Sequence, residues 1–86
     1  MSESLRELMA AASAVRREAR LLAEAGRPRR FIMRCGRGQL VSPDLDAPGE
    51  WRVTSFDAEG QPWGHYCTRT AYDAFREVLA GGARVV

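Results

Sequence analysis

Apolar residues recur at alternating spacings of three and four in the first part of the chain, which is the period of an amphipathic helix. The stretch Ser4 to Glu7 has the Ser-x-x-Glu form of a helix-starting capping box, with Ser4 at the N-cap. Gly26 and Pro28 are typical of a helix end. The pattern predicts a helix from about Leu5 to Ala25, and its apolar positions are Leu5, Leu8, Ala12, Val15, Ala19 and Leu22.

These six positions form a heptad seam with steps of 3, 4, 3, 4 and 3 residues. One interpretation is a helix that packs on the sheet of its own chain. The other is self-association, in which the seam pairs with a second copy and makes a homodimer. The sequence leaves both open.

The middle of the chain changes to a period of two, which indicates strands. Phe31 falls on the face opposite Arg30 and Ile32, and glycines at 36 and 38 suit a turn, so a hairpin is predicted over about 29–42. A loop over 43–49 follows from its Pro, Asp and Gly content. A second hairpin is predicted over about 51–67, with Gly60 in its turn.

Four aromatic residues of the second hairpin are divided between the two faces of the predicted sheet. Trp51 and Phe56 are five residues apart, and Trp63 and Tyr66 are three apart, so the members of each pair face opposite sides. Either helices cover both faces of this sheet, or one face is left open.

The last element is a second helix over about 71–80. Thr70 is the predicted N-cap, with Asp73 as the acid of a capping box. The sequence therefore predicts a single domain over 1–86 of the α+β class. It has two layers and an antiparallel sheet of three to four strands between an N-terminal and a C-terminal helix, with a possible short final strand. The buried stripe of the second helix comprises Ala71, Phe75, Val78 and Leu79, before Gly81 and Gly82.

Charge is distributed unevenly along the chain. All thirteen basic residues are Arg; residues 1–37 carry nine Arg and four acids (+5), and residues 38–86 carry four Arg and seven acids (−3). Arginine is suited to carboxylate and phosphate groups. No signal peptide or membrane-spanning run is recognisable, so we expect a cytoplasmic protein without a membrane partner.

Three side chains could carry metal or thiol chemistry: Cys35, His65 and Cys67. A structural zinc site needs four ligands in recognisable spacings, and two cysteines are too few for a disulfide framework. A Cys–His nucleophile needs an orienting group and an enclosed pocket, for which a chain this short has little room. We expect no metal, no cofactor and no enzymatic activity.

The arginine-rich stretch Arg27 to Gly38 is the main candidate for a binding surface. If its hairpin lies at a sheet edge, the arginines project together beside one aromatic face. The alternative is that they only protect an exposed strand edge from other chains. The expected partner-binding residues are Arg27, Arg29, Arg30, Arg34, Arg37, Trp51, Phe56, Trp63 and Tyr66.

Two kinds of partner suit such a surface. The first is a larger protein or nucleoprotein complex, because exposed Trp, Tyr and Arg are typical hot-spot residues. Small chains of this composition are common among phage and mobile-element proteins that disable host complexes, anti-CRISPR proteins among them, so the size class suggests an inhibitor. The second is DNA or RNA, with the protein a regulator that binds phosphates and stacks bases.

Overall fold

The computed structural model describes residues 3–86. Two helices and five strands follow one another along the chain, and the fold is of the α+β class. The elements are α1 (Glu3–Ala25), β1 (Arg29–Ile32), β2 (Gly38–Pro43), β3 (Trp51–Phe56), β4 (Pro62–Thr68), α2 (Ala71–Ala80) and β5 (Arg84–Val85).

Helix α1 ends where the sequence predicts but begins earlier. Ser4 lies within the first turn, since the helix already includes Glu3, so the prediction of Ser4 as the N-cap is wrong. At the other end the Gly26 N–H donates to the carbonyls of Leu22 and Ala23. Gly26 has φ +65°, a left-handed conformation that a glycine adopts at little cost.

The five strands form one antiparallel sheet in the order β4-β3-β2-β1-β5. The possible final strand is present: β5 pairs Val85 with Phe31 and Arg84 with Ile32. Strand β1 is therefore the second strand from one edge. The edge position, which was the condition for the arginines of this hairpin to project together, is not met at β1, because the final residues of the chain pair with it.

The core lies between the sheet and the helices. Helix α2 packs on β2, β3 and β4, and α1 packs against α2. The Phe75 ring of α2 lies 6.0 Å from Phe31 and 5.6 Å from Trp51, between ring centroids. The buried apolar residues are Ala19, Leu22, Phe31, Val41, Val53, Ala74, Phe75, Val78, Leu79 and Ala83.

The predicted seam of α1 divides into two halves. Its C-terminal half packs in this core, with Ala19 and Leu22 buried and Val15 partly buried. Its N-terminal half, which includes Leu8 and Ala12, is exposed. The interpretation of α1 as a helix that packs on the sheet of its own chain is therefore corrected: its partner within the chain is α2, which is too short to cover all of α1.

Helix α2 matches its prediction closely. The Thr70 hydroxyl oxygen accepts from the Asp73 N–H at 3.1 Å, which makes Thr70 the N-cap. The predicted stripe is also present, with Ala74 as an additional buried residue and Ala71 only partly buried. Within residues 3–86, no helix is both long and apolar enough to span a bilayer.

Candidate functional site: the uncovered sheet face

One face of the sheet carries the core and the other has no described element against it. Val41 pairs with Val53, which pairs with Tyr66, so these three side chains share the helix side. Residues next to them in each strand point the other way. We call this second surface the uncovered face; its larger side chains are Arg30, Ile32, Leu40, Arg52, Phe56, Trp63, His65, Cys67 and Arg84.

A β-bulge shapes one corner of this face. The pairing of β3 with β4 shifts between Ser55, which is opposite Gly64, and Phe56, which is opposite Pro62. Trp63 is thus the extra residue of β4, on the same side as Phe56. Trp63 is 64% exposed, which is high for the largest aromatic side chain.

The predicted binding residues do not all meet. Arg30, Phe56 and Trp63 lie on the uncovered face, and Arg37 lies in the turn beside it. The two aromatic residues of each pair in the second hairpin lie on opposite faces of the sheet, as the sequence predicts. Only part of the predicted surface therefore forms a single patch.

Three predicted residues lie on the helix side instead. Arg29 alternates with Arg30, so it shares the face of Phe31, and Trp51 contacts Phe75. Burial and the nearby Glu77 carboxylate of α2 raise the pKa of Tyr66 to about 12. The prediction that Arg29 projects with Arg30 is wrong, because neighbouring residues of a strand point to opposite faces.

The two remaining arginines lie in connections between elements. Arg27 is exposed just before β1. Arg34 lies over Gly82 at the C-terminal end of α2, close enough that a Cβ at Gly82 would collide with its guanidinium group. A cation there complements the negative end of the helix dipole.

Asp44 of the β2–β3 loop reaches the uncovered face, where it pairs with Arg52, but the strands themselves carry no acid. No strand of the sheet contains Asp or Glu, whereas the strands contain four Arg (29, 30, 52 and 84) and His65. Among residues 3–86, Arg30, Arg37 and Arg84 form no ion pair. The face is therefore positive, with Ile32, Leu40, Phe56 and Trp63 as its apolar part.

An open groove of about 760 Å³ lies at the end of this face, between the β1–β2 and β3–β4 turns. Arg30, Arg37 and Phe56 line it, together with Asp57. The Asp57 carboxylate accepts from the Glu59 and Gln61 N–H groups at 3.0 and 2.8 Å. These hydrogen bonds stabilise the β3–β4 turn, in which Asp57 lies. The groove thus offers two unpaired guanidinium groups next to an aromatic ring.

Asp44 at the opposite end organises the loop after β2. Its carboxylate accepts from Cys67 Sγ at 3.1 Å, from the Asp46 N–H at 3.0 Å and from Arg52 at 3.2 Å. The Cys67 hydrogen bond, the Asp46 N–H and the Arg52 charge hold the pKa of Asp44 below its ordinary value. The same hydrogen bond to Asp44 raises the pKa of the Cys67 thiol, which disfavours the reactive thiolate.

Sequence reasoning missed this role of Asp44, which it left in a loop defined by composition. The available signal was the Pro-Asp-x-Asp stretch, since an Asp side chain commonly accepts from the backbone N–H two residues on. The burial of Asp44, only 7% exposed, follows from the approach of β3 and β4. No local sequence pattern predicts this contact between the Asp44 loop and the two strands.

The three side chains considered for metal or thiol chemistry do not converge. Cys67 is near the end of β4 that pairs with Trp51, whereas Cys35 lies in the turn at the opposite end of the sheet. Both are free cysteines. Instead, ligand atoms of Asp44, Glu50 and Cys67 lie within 4.8 Å of one another. Arg52 already provides a positive charge to this group, which disfavours a cation there.

The arrangement as a whole is an exposed, positive and partly aromatic surface with a groove at one end. Comparison with protein-family models, curated proteins and solved structures finds no match for this chain. What the chain binds must therefore be inferred from the chemistry of the surface itself.

Proposed function

We propose that this chain is a non-enzymatic binding protein that occupies a surface of a larger protein or nucleoprotein partner through the uncovered face. The observation that carries the proposal is an antiparallel sheet face with no helix against it and no acid in its strands, on which Arg30 and Arg84 lie next to Ile32 and Trp63 is exposed on the far edge strand β4. Large apolar side chains exposed next to arginine are typical of interface hot spots.

A protein partner with an acidic rim fits this face best. Arg52 is already paired with Asp44 and Asp46, so only Arg30, Arg37 and Arg84 are available to an incoming anion. Apolar side chains occupy the positions between them. A protein surface supplies apolar contacts and a few carboxylates together. The affinity for a nucleic-acid backbone, by contrast, depends mainly on the number of cations.

Nucleic acid is the second candidate, favoured by the absence of acids from all five strands and by exposed Trp63. Bases can stack on an aromatic ring while arginines contact phosphates. Three available arginines would give a shallow salt dependence, with a slope of roughly −3 in log affinity against log salt.

The test compares wild type with the double variant Arg30→Glu/Arg84→Glu. Both proteins are titrated with labelled single- and double-stranded DNA and RNA at several salt concentrations, and both are used as bait in host lysate with quantitative mass spectrometry. We expect a protein that wild type retains and the double variant loses, because two favourable charges become repulsive. Oligonucleotide binding with the stated slope would favour the second candidate.

The matched control is Arg20→Glu/Arg69→Glu, which makes the same charge change at two exposed arginines outside the uncovered face. This control should retain the partner. If both double variants lose it equally, overall charge drives binding and the uncovered face is not the contact surface.

A further inference from the structure

Gly38 leaves a gap in the row of side chains on the uncovered face. It is the first residue of β2 and lies opposite Ile32 of β1. It shares this side of the sheet with Leu40, two residues further along the same strand. Phe56 lies across the gap, since its Cδ2 atom would be 3.8 Å from a Cβ placed on Gly38. Gly38 lines the groove described above, so backbone forms part of the groove floor.

The fold itself does not require glycine at this position. The left-handed backbone conformation that favours glycine occurs at Gly36 and Gly60 in the flanking turns, but not at Gly38. An added Cβ would make only ordinary contacts, with Phe56 at 3.8 Å and with the Phe31 carbonyl oxygen at 3.9 Å. A strand glycine commonly marks a place where another group approaches the backbone closely. The consequence of the missing side chain at Gly38 is space on the uncovered face.

Two guanidinium groups lie at this space. Arg30 is on the same face of β1 as Ile32, and Arg37 directly precedes Gly38 in the β1–β2 turn. Both are exposed and both line the groove. In the part of the chain that the structure describes, neither forms an ion pair. The groove therefore offers two sets of guanidinium donors to an incoming anion.

The charges around the groove match a single monoanion. Arg30 and Arg37 against Asp57 leave the lining with a charge of +1. Outside the lining, Glu59 of the β3–β4 turn and Arg84 of β5 have opposite charges. A nucleic-acid backbone has a charge at every nucleotide, so phosphates next to a bound one would approach the acidic β3–β4 turn. One isolated carboxylate meets no such repulsion.

The shape of the groove favours a side chain that projects from a partner. The β1–β2 and β3–β4 turns enclose it at the end of the sheet, and the half-buried Phe56 ring forms an apolar wall. Methylene groups can pack on such a ring, while a carboxylate accepts paired hydrogen bonds from guanidinium. An acidic side chain combines these two chemical features in one group.

We propose that the groove over Gly38 is the subsite for one Asp or Glu side chain of a protein partner. Its carboxylate binds Arg30 and Arg37, and its methylene groups lie over Gly38 against Phe56. This inference rests on the proposed function of the uncovered face as a partner-binding surface. It adds the chemical group that the partner must present at this end of the face.

The test is an NMR titration of the ¹⁵N-labelled full-length chain at constant ionic strength. The ligand is N-acetylglutamate N-methylamide, whose only charge is the side-chain carboxylate. The amide signals of Gly36, Gly38 and Gly60 should shift and saturate, with a Kd on the order of 1 mM. The neutral glutamine analogue should cause no saturable shift. Equal binding of the two compounds overturns the proposal.

Two further ligands separate the possible sources of the anion. N-acetylglycine, which has a terminal carboxylate and no side-chain methylenes, should bind at least about threefold more weakly, because buried methylenes contribute to affinity. Dimethyl phosphate, which represents a nucleic-acid backbone, should also bind more weakly. Binding of N-acetylglycine as tight as that of the glutamate compound overturns the choice of an acidic side chain. Tighter binding of dimethyl phosphate overturns it in favour of nucleic acid.

Variants with matched controls locate the site. Gly38→Val fills the groove floor, and Gly64→Val makes the same substitution in β4, where nothing lies within 4 Å of an added Cβ and the side chain is on the helix side. Gly38→Val should weaken binding of the glutamate compound at least about tenfold, as should Arg37→Gln in the exposed turn. Gly64→Val should bind as wild type does. Unchanged binding by either groove variant overturns the proposal, and Arg37→Gln decides it if Gly38→Val does not fold.

The lysate experiment separates this subsite from the proposed function. Gly38→Val should lose the protein partner that wild type and Gly64→Val retain. If Gly38→Val keeps that partner while Arg30→Glu/Arg84→Glu loses it, the uncovered face binds the partner and the subsite proposal is overturned. If wild type captures no protein but binds the glutamate compound with the stated selectivity, the carboxylate site stands and the proposed function fails.

Discussion

At the scale of single residues, Asp44 is the side chain with the greatest number of distinct roles. It holds the loop through the Asp46 N–H, neutralises Arg52 and accepts from Cys67, so it connects the β2–β3 loop to two strands. Removing a buried carboxylate that accepts from three donors lowers the free energy of unfolding more than removing an exposed ion pair does.

We expect Asp44→Asn to lower the urea midpoint of unfolding clearly, because an amide cannot accept from all three donors or neutralise Arg52. Asp46→Asn is the matched control: Asp46 also contacts Arg52, at 3.6 Å, but its side chain is 91% exposed. Exposed pairs contribute little, so this variant should unfold as wild type does. Equal effects of the two substitutions would show that burial of Asp44 does not matter.

The pH dependence follows from the lowered pKa of Asp44. In the unfolded chain Asp44 begins to bind a proton at about pH 4, while the folded chain still keeps it ionised. The stability it contributes is therefore present above about pH 4 and lost as pH falls through the folded pKa. Urea titrations should show that the difference in the free energy of unfolding between wild type and Asp44→Asn becomes smaller in that acid range.

At the scale of elements, a glycine at the end of α2 lets the chain turn from the helix into the next strand. The Gly82 N–H donates to the Leu79 carbonyl and the Ala83 N–H to the Val78 carbonyl, which is a Schellman motif. Gly82 has φ +89°, and its missing side chain leaves space for Arg34. The turn directs the chain into β5 beside β1.

We expect Gly82→Ala to destabilise the fold by more than about 1 kcal/mol, because alanine is strained at positive φ and its Cβ would displace Arg34. Gly81→Ala is the neighbouring control, since Gly81 has φ −74° and an added Cβ would make only ordinary contacts. Thermal unfolding of both variants checks this. Equal losses would mean that neither the backbone conformation nor Arg34 matters at Gly82.

At the scale of the whole molecule, both helices lie on one side of a single sheet. The two tryptophans are thereby separated: Trp51 contacts Phe75 in the core, and Trp63 is exposed on the uncovered face. One contributes to stability, and the other is available for binding.

We expect Trp51→Ala to lower the free energy of unfolding by on the order of 2 kcal/mol. This is less than the effect of removing a fully buried ring, because Trp51 is only half-buried. Trp63→Ala should change stability by less than about 0.5 kcal/mol while weakening partner capture. Urea unfolding and the lysate experiment measure the two effects. A large stability loss in Trp63→Ala would mean that this ring belongs to the core.

The sequence by itself determined the local elements of this protein. Hydrophobic period, the cap at Thr70 and glycines at turns predicted both helices and both hairpins, because these signals act between residues a few positions apart. Even the division of the aromatics between two faces followed from strand alternation alone. Within the described residues, α1 begins at Glu3, two residues before the predicted start at Leu5.

Only the tertiary structure decided which surfaces are covered. The placement of β5 beside β1, the burial of Asp44 and the packing of Arg34 on Gly82 all join residues distant along the chain. Likewise, α2 supports only half of the α1 seam, which no periodicity within α1 reveals. These features depend on long-range packing and chain geometry, so they arise when the sheet and helices assemble.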